Sequence, residues 1–482
     1  MNSKSIPNTP DHVTTYGPVF FRVAAWSYEA FGFSLRAFRL VSLLGAFMIA
    51  GAAVSLASTF GLSRAQRVWR AVILLIGPTV GSAATNGRMD SLAVGLSMAG
   101  LAVLVAGVAE PERRTLTRGA IAGVCLVLAA LTTPRSVPFG GTCLLGLGVL
   151  IGVTRMDRSL CRMTMATAGA FGAGIVIWSI LAPGESFGWI RMLTSIVPRV
   201  GEEVTFAEGA TRDWRLAERP WTLLSLIVGF PATIIVAWHL RKILPDVSPA
   251  LRHAALLAIG VTWVNVAVVL AVANLTFSFA VYFNAPLLAV AVALPAEWFP
   301  ISRVAMTRAI CTVLVVYGGG RVLKYATAAA TWHARDPRLI RQFAESHVPP
   351  DSQVIGRTRF YFFAVERAGS AMVSLSGESF ASWTRLAPKP REFRITPVPG
   401  VRRFLLMPVE GAEPALPDGS VCPDARLVAE YHPPADTIAW LGPLARRLYV
   451  PGYPRSALWE LPDACVHEPG RIIDRTRYPS AG

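Results

Sequence analysis

The stretch AATNGRMDSLAVGLSMAGLAVLV, residues 83–105, places an arginine and an aspartate at the start of a run that is apolar enough to cross a bilayer. From Ser91 to Val108 almost every residue is apolar or small, and a membrane-spanning helix needs about 20 such residues. Arg88 and Asp90 lie two residues apart just before this run. The stretch therefore predicts a transmembrane helix with two charged side chains at one entrance.

The whole chain has the composition of a membrane protein. Of its 482 residues, 53% are hydrophobic and only 16% are charged, and the mean hydropathy is +0.47. Soluble domains of ordinary composition are less apolar. The formal charge of +16 comes from basic residues scattered between apolar runs, not gathered in one patch. We therefore predict no nucleic-acid partner and expect anionic membrane lipids as the counter-charge.

About ten apolar segments are long enough to cross a bilayer, or nearly so. The second segment is short and is interrupted by Gly77 and Pro78, so we expect it to kink or to re-enter the membrane. The segments run approximately over Phe38–Phe60, Ala71–Thr85, Ser91–Val108, Gly119–Thr133, Val137–Val153, Thr164–Ala182, Trp221–Trp238, His253–Val272, Phe277–Ala296 and Thr307–Leu323.

The short connections between these segments form two sets that alternate along the chain. One set carries almost all the arginine and lysine, whereas the other carries only Arg88 and Arg135. Because cytoplasmic loops collect basic residues, the first set is predicted to be cytoplasmic and the second to face outward. The basic set consists of Arg64, Arg67, Arg70, Arg113, Arg114, Arg118, Arg155, Arg158, Arg162, Arg241, Lys242, Arg252, Arg303 and Arg308.

Both ends of the chain differ from this apolar middle. Residues 1–37 are predicted to be an extracytoplasmic segment with an interfacial helix between Pro18 and Gly32, and residues 38–324 the polytopic transmembrane domain. Farther on, SQVIGRTRFYFFAV, RRFLLMPV and ARLVAEYH are typical of β-strands separated by Pro- and Gly-rich turns. Residues 325–482 are thus predicted to be a small extracytoplasmic α/β domain on an otherwise all-α membrane protein.

The six cysteines divide by location. Cys422 and Cys465 lie in the predicted outer domain, where disulfides form, so we expect them to be bridged, although sequence alone does not fix the pairing. The others lack the close paired spacing of a metal site and are interpreted as buried thiols. They are Cys125, Cys143, Cys161 and Cys311.

The three charged residues of the short outer connections allow a structural and a functional interpretation. Asp90 is suited to cap the helix that follows it, and Arg88 and Arg135 to reach lipid phosphates. As a group, one carboxylate and two arginines at the entrances of separate helices suit a lipid-linked phosphate, because guanidinium groups bind phosphate oxygens bidentately and stay charged. A carboxylate nearby is able to orient an acceptor or take its proton.

Three stretches in order carry a family resemblance: TYGPVFFRVAAW from Thr15, NGRMDSLAVGLSMAGLAVL from Asn86 and LAALTTPRSVPF from Leu128. This order resembles bacterial GT-C membrane glycosyltransferases, closest to the dolichyl-phosphate-mannose protein mannosyltransferase-like group that includes the lipid A aminoarabinose transferases. The resemblance covers roughly Thr15 to Leu323, and its most specific motif is Arg88-Met89-Asp90.

The resemblance implies transfer of a sugar from a polyprenyl-phosphate donor to an envelope acceptor, at the outer face of a bacterial inner membrane. No cofactor is firmly predicted: the reaction need not use a metal, because arginine alone neutralises a monophosphate, but some relatives use one, so a divalent metal stays open. The implied site residues are Arg88 and Arg135 for the donor phosphate, Asp90 and Asp11 for catalysis, and Tyr282 and Asn284 for substrate binding.

Two departures from the family pattern stand out. A late family helix commonly begins Arg-Tyr, whereas Val281-Tyr282 stands at that place here. The family also usually carries an acidic pair in its first outer loop, after an initial transmembrane helix. Here the carboxylates before the first span are Asp11 and Glu29, and neither is paired. Asp11 follows a proline and also suits a turn, and Glu29 suits the polar face of the interfacial helix. We therefore interpret the sequence as a shortened form that begins inside that loop and lacks its first transmembrane helix and its own base.

Two other functions remain open from the sequence. A transporter would place charges near the middle of its spans, where this chain has few strongly polar residues, Asn265 among them, and no visible inverted repeat. A non-catalytic relative that binds lipid-linked sugar would fit the missing acidic pair. Donor binding separates these alternatives, because a transporter need not bind polyprenyl phosphate.

Overall fold

The computed structural model of the chain shows a bundle of apolar helices and a separate small sheet. The residues fall into two compact units, with the boundary between Gly319 and Gly320. The structure describes residues 17–32, 35–85, 89–113, 115–155, 157–183, 186, 229, 231–240, 247–272, 281–299, 308, 312, 315, 319, 322–323, 326–350, 352–356, 402–408, 424–434 and 455–462.

Eleven helices are described in the first unit. Five of them, α2, α5, α7, α8 and α10, are long and apolar enough to cross a membrane, and α6, α9 and part of α11 are shorter apolar helices. Their bounds are α1 Pro18–Phe31, α2 Leu35–Thr59, α3 Arg64–Ile76, α4 Pro78–Thr85, α5 Asp90–Ala109, α6 Leu116–Thr132, α7 Val137–Val153, α8 Arg158–Leu181, α9 Pro231–Leu240, α10 Pro249–Val272 and α11 Val281–Ala293.

Helix α5, which begins at Asp90, lies at the centre of the bundle. In its apolar window 78% of the residues are buried, against 11% for α8, and α2, α6, α10 and α11 all pack on it. Glycines permit this close packing. A Cβ at Gly95 would lie 2.7 Å from the Gly45 carbonyl oxygen of α2, which is too close for any other residue without a shift.

The second predicted segment is broken where the sequence indicates. Helix α3 ends at Ile76 and α4 begins at Pro78, because proline lacks the N–H that would continue the helix. We predicted that this segment begins at Ala71, after a connection that contains Arg64. The prediction is wrong at this boundary, because the helix already begins at Arg64. A capping box formed by Ser63 and Gln66 stabilises the start of this helix. The basic residues that we predicted in the connection, Arg64, Arg67 and Arg70, are therefore helical.

Helix α1 follows the predicted bounds. Gly17 is its N-cap, and Gly32 has a φ of 77°, a left-handed conformation that glycine adopts without strain and that ends the helix. The amide of Gly17 donates a 3.0 Å hydrogen bond to the carbonyl oxygen of Thr132, at the end of α6. The predicted position of α1 at the membrane interface stays a prediction.

The opposite end of the bundle is held by an arginine of α3. The guanidinium of Arg70 donates to the carbonyl oxygens of Val292 and Leu294, at the end of α11, with 2.5 Å to the latter. The last carbonyls of a helix lack helical donors and carry the negative end of its dipole, so a cation is favourable there. Nearby, the rings of Phe60 and Trp298 lie 5.5 Å apart, centroid to centroid.

The second unit contains a four-stranded mixed sheet and, among its described helical residues, two helices with defined bounds. The strand order is β1-β2-β4-β3, with β1 parallel to β2 and β4 antiparallel to both of its neighbours. Three strands lie within the predicted stretches, whereas the central strand β4 was missed. The elements are α12 Trp332–Arg335, α13 Pro337–His347, β1 Gln353–Gly356, β2 Arg403–Pro408, β3 Arg426–Tyr431 and β4 Ser456–Leu461. The fold class predicted from the sequence is confirmed.

Candidate active site

Asp90 lies at the first residue of α5 and its side chain is only 4% exposed. The N-cap position of the helix belongs to Met89, which makes no side-chain cap hydrogen bond. The next residue, Ser91, donates to the carbonyl oxygen of Ser42 at 2.9 Å and ties this end of α5 to α2. A buried carboxylate at the positive end of a helix is favourable, but it still needs hydrogen-bond donors.

One of those donors comes from a distant part of the sequence. The hydroxyl of Tyr282, in the first turn of α11, donates to Asp90 Oδ1 at 2.6 Å, and both side chains are buried. The short distance is that of a charge-assisted hydrogen bond, in which a phenol donates to a carboxylate. The tertiary fold thus joins a predicted catalytic residue to a predicted substrate-binding residue 192 positions away.

A third predicted residue lies near this pair. Arg135 occupies the 3₁₀ turn Pro134–Ser136 between α6 and α7 and is half-buried. Its guanidinium and the hydroxyl of Thr133 are near enough to the Tyr282 hydroxyl to act on it electrostatically. The beginnings of α5, α7 and α11 and the end of α6 therefore meet at one end of the bundle.

Two asparagines lie next to the pair. Asn284 is fully buried two residues after Tyr282. Asn265, in α10, is 2% exposed, and its Nδ2 donates to the backbone carbonyl oxygen of Tyr282 at 2.9 Å. Helix α10 thus contacts the same residue whose hydroxyl reaches Asp90.

This arrangement brings a carboxylate, a phenol and a guanidinium together in a largely buried site. An arginine can neutralise a phosphate, and a carboxylate held by a second group can accept a proton in a defined direction. Among the described residues, no three of the types His, Cys, Asp and Glu come together. The donor set around Asp90 is one carboxylate with a phenol and a cation, which does not by itself fit a divalent metal.

Several predicted residues lie outside the described part of the chain. They are Asp11, Arg88, Cys311, Cys422 and Cys465, so their predicted roles, and the disulfide, stay predictions. The other described thiols, Cys125, Cys143 and Cys161, are free, but only Cys143 is buried as interpreted, whereas Cys125 and Cys161 are half-buried. We did not predict Thr133 at the site, and Asn265 entered only as an argument against a transporter. The polar character of Asn265 within an apolar span was a signal for it.

Comparisons with known proteins agree with the resemblance read from the motifs. Residues 8–155 match the family model described as alpha-(1->6)-mannopyranosyltransferase, N-terminal domain (MptA_B family). This match includes the sequence positions of Asp90 and Arg135. A comparison with curated protein sequences gave no match.

The fold is similar to that of solved GT-C enzymes. ArnT from Cupriavidus metallidurans, solved with bound undecaprenyl phosphate, has a TM-score of 0.53 at 14% identity, over 94% of this chain and 89% of ArnT. Its apo structure gives 0.53 at 13% identity, over 95% and 89%. AglB from Archaeoglobus fulgidus gives 0.46 at 11%, over 84% and 62%. The GT-C-like fold is confirmed, as is the predicted resemblance to GT-C membrane glycosyltransferases.

Proposed function

We propose that the chain is a membrane glycosyltransferase that takes its sugar from a polyprenyl-phosphate donor and transfers it to an envelope acceptor at the end of the bundle that carries Asp90. The observation that carries the proposal is the buried 2.6 Å hydrogen bond from Tyr282 to Asp90 beside Arg135. A charged group buried in a membrane protein is costly, so its presence is a reason to propose a substrate site there. ArnT, whose fold the chain shares, was solved with undecaprenyl phosphate.

Arg135 is the proposed contact for the donor phosphate, with Arg88 as a second one. A monoester phosphate develops charge as the sugar leaves it, and a guanidinium near that oxygen stabilises the charge. The half-buried position of Arg135 strengthens such a contact, because electrostatic interactions are larger where water is excluded.

Although the family pattern puts the base in an acidic pair before the first span, we propose Asp90 as the base, because its carboxylate is buried and is bound by Tyr282, which holds it in position. In the proposed step a hydroxyl of the acceptor passes its proton to the Asp90 carboxylate while its oxygen bonds to the anomeric carbon. The bond from that carbon to the phosphate oxygen breaks, and polyprenyl phosphate leaves with the electron pair. Attack opposite the leaving group inverts the anomeric centre. Asp11 is a further candidate carboxylate, from the sequence alone.

The sugar that we propose is a hexose. The matched family model describes a mannopyranosyltransferase, which favours a hexose over the pentose of the aminoarabinose transferases. Asn284, buried beside Tyr282, is the proposed polar contact for sugar hydroxyls or acceptor. Transfer to a panel of lipid, glycan and protein acceptors would identify the acceptor class.

The proposed location is a bacterial inner membrane, with the Asp90 end and the domain of residues 325–482 on the outer side. The alternation of basic and non-basic connections supports this orientation. Arg70, from the predicted cytoplasmic set, lies at the other end of α11 from Tyr282. A Cys422–Cys465 disulfide would be compatible with the oxidising side.

The test is transfer of radiolabelled sugar in membranes that contain the chain, with a panel of polyprenyl-phosphate sugars as donors. Membranes carrying Asp90→Asn are the negative control. We expect a labelled product from a hexose donor with the wild-type chain and none with the variant. Purified chain is also titrated with undecaprenyl phosphate. Binding without transfer would indicate a non-catalytic relative, and neither binding nor transfer would contradict the proposal.

A further inference from the structure

Helix α11 contains a proline whose position leaves one backbone carbonyl without its helical donor. Pro286 lies inside the helix, and proline has no N–H to donate to the carbonyl four residues earlier. That carbonyl belongs to Tyr282, the residue whose hydroxyl reaches Asp90. A buried carbonyl deprived of its donor is unfavourable unless another group replaces it.

The replacement comes from α10. Asn265 Nδ2 donates to the Tyr282 carbonyl oxygen at 2.9 Å, and the asparagine is 2% exposed. A polar side chain in the middle of an apolar helix of 24 residues is itself costly, so its hydrogen bond has to be with a group that needs it. Pro286 and Asn265 therefore form a matched pair, one freeing the carbonyl and the other binding it.

We propose that Asn265 is a positioning residue that acts through Tyr282 on Asp90. Tyr282 is held at two points, by Asn265 at its backbone carbonyl and by Asp90 at its hydroxyl. The two contacts join α10, α11 and the first residue of α5. Asn265 thus fixes the position of the first turn of α11 against α10, and through the Tyr282 hydroxyl the direction of the Asp90 carboxylate. The inference rests on the proposed function of Asp90.

The proline supplies a specific rescue experiment. Asn265→Ala removes the donor, and we expect kcat to fall about 10- to 100-fold, the usual size for loss of a group that orients a catalytic residue, with little change in the KM for donor. Pro286→Ala restores a backbone N–H that can reach the Tyr282 carbonyl. The double variant N265A/P286A is therefore expected to recover most of the lost activity.

A second cycle separates positioning from general damage. If Asn265 acts only through the Tyr282 hydroxyl, then Asn265→Ala causes no further loss in a Tyr282→Phe background, since interacting residues are not additive. Folding of each variant is followed by its apparent melting temperature in detergent. If N265A alone does not fold, an active N265A/P286A variant still supports the inference.

The outcomes separate this inference from the proposed function. Wild-type chain that transfers sugar from no donor overturns the proposed function and the inference with it. Wild-type activity with an unchanged N265A variant, or with a loss that Pro286→Ala does not restore, overturns the inference alone. Losses from N265A and Y282F that simply multiply also contradict it.

Discussion

The two ends of the helical bundle use arginine differently. At one end, Arg70 of α3 donates to the carbonyl oxygens of Val292 and Leu294. The free carbonyls at the end of α11 therefore explain why a positive charge is found there. At the other end, Arg135 lies in a turn beside a buried carboxylate and a buried phenol from two further helices. The same residue type therefore closes the fold at one end and contributes to a polar cluster at the other.

The comparison shows how a structural charge differs from a functional candidate. A helix C-terminus exposes carbonyls that any nearby cation stabilises, so Arg70 follows from the fold. Asp90 also lies at the favourable end of a helix, but a helix end does not explain why the buried hydroxyl of Tyr282, 192 positions along the chain, binds its carboxylate. Buried polar groups that the fold does not require are functional candidates.

The largest expected effect is at Asp90, with an aspartate elsewhere as the matched control. Asp90→Asn should lower transfer by about 10²- to 10⁴-fold, the usual contribution of a general base. Asp157→Asn should leave transfer unchanged, because Asp157 accepts from the amides of Ser159 and Leu160 as an N-cap and asparagine caps equally well. Initial rates in membranes, normalised to protein, give both values. Equal activity of the two variants would make Asp90 structural.

The second effect distinguishes the two arginines directly. Arg135→Ala should raise the KM for the donor about 10- to 100-fold, because a charge-assisted contact worth about 1.5–3 kcal/mol is lost. Arg70→Ala should instead lower the free energy of unfolding by about 1.5–3 kcal/mol and leave the KM unchanged. Donor titrations and melting temperatures in detergent check both. Reversed effects would assign the structural role to Arg135 and the donor contact to Arg70.

A third, smaller effect concerns the packing that supports the Asp90 end. Gly95→Ala should lower the free energy of unfolding by about 1–3 kcal/mol, because the new methyl group would meet Gly45 and Met48 of α2. The control is Gly148→Ala in α7, where a Cβ meets no atom within 4 Å. This variant should be neutral or gain about 0.5–1 kcal/mol from helix propensity. Thermal unfolding compares the two, and equal stability would argue against close packing of α2 on α5.

The smallest effect is expected from an exposed ion pair in the sheet. Its contribution can be compared with those of Arg70 and Asp90 at the two ends of the helical bundle. Arg455, the residue before β4, donates to Glu430 of β3 at 2.5 Å, and this contact lowers the pKa of Glu430 below its usual value. Because the folded pKa is the lower one, the pair stabilises the sheet above the ordinary glutamate pKa of about 4.3 and the effect disappears as pH falls through the folded value.

The measurement for this pair is the melting temperature of wild-type chain and Glu430→Gln between pH 7 and pH 3. We expect a slightly lower value for the variant at pH 7, because exposed ion pairs contribute little. The difference should vanish toward pH 3. A difference that grows as the pH falls would contradict the assigned direction of the pKa shift.

Much of the fold could be predicted from the sequence, because a bilayer imposes a simple length requirement. The predicted span Val137–Val153 has the bounds of α7, and the break at Gly77-Pro78 separates α3 from α4. Strand β4 was missed because a central strand of a small sheet is recognised by its partners, β2 and β3, and these are distant in sequence. The domain bounds and the site roles stay predictions.

The segments that are apolar enough to span a membrane, and the ends of them that carry charge, can be identified from the sequence alone, and so can Asp90 and Arg135 as candidates. These properties are local, since hydropathy and helix length depend on neighbouring residues. Only the tertiary structure decided that Tyr282 binds Asp90 and that Asn265 binds the carbonyl freed by Pro286. Such contacts depend on how helices pack, and the packing depends on side-chain shape along the whole bundle, which no single stretch of sequence contains.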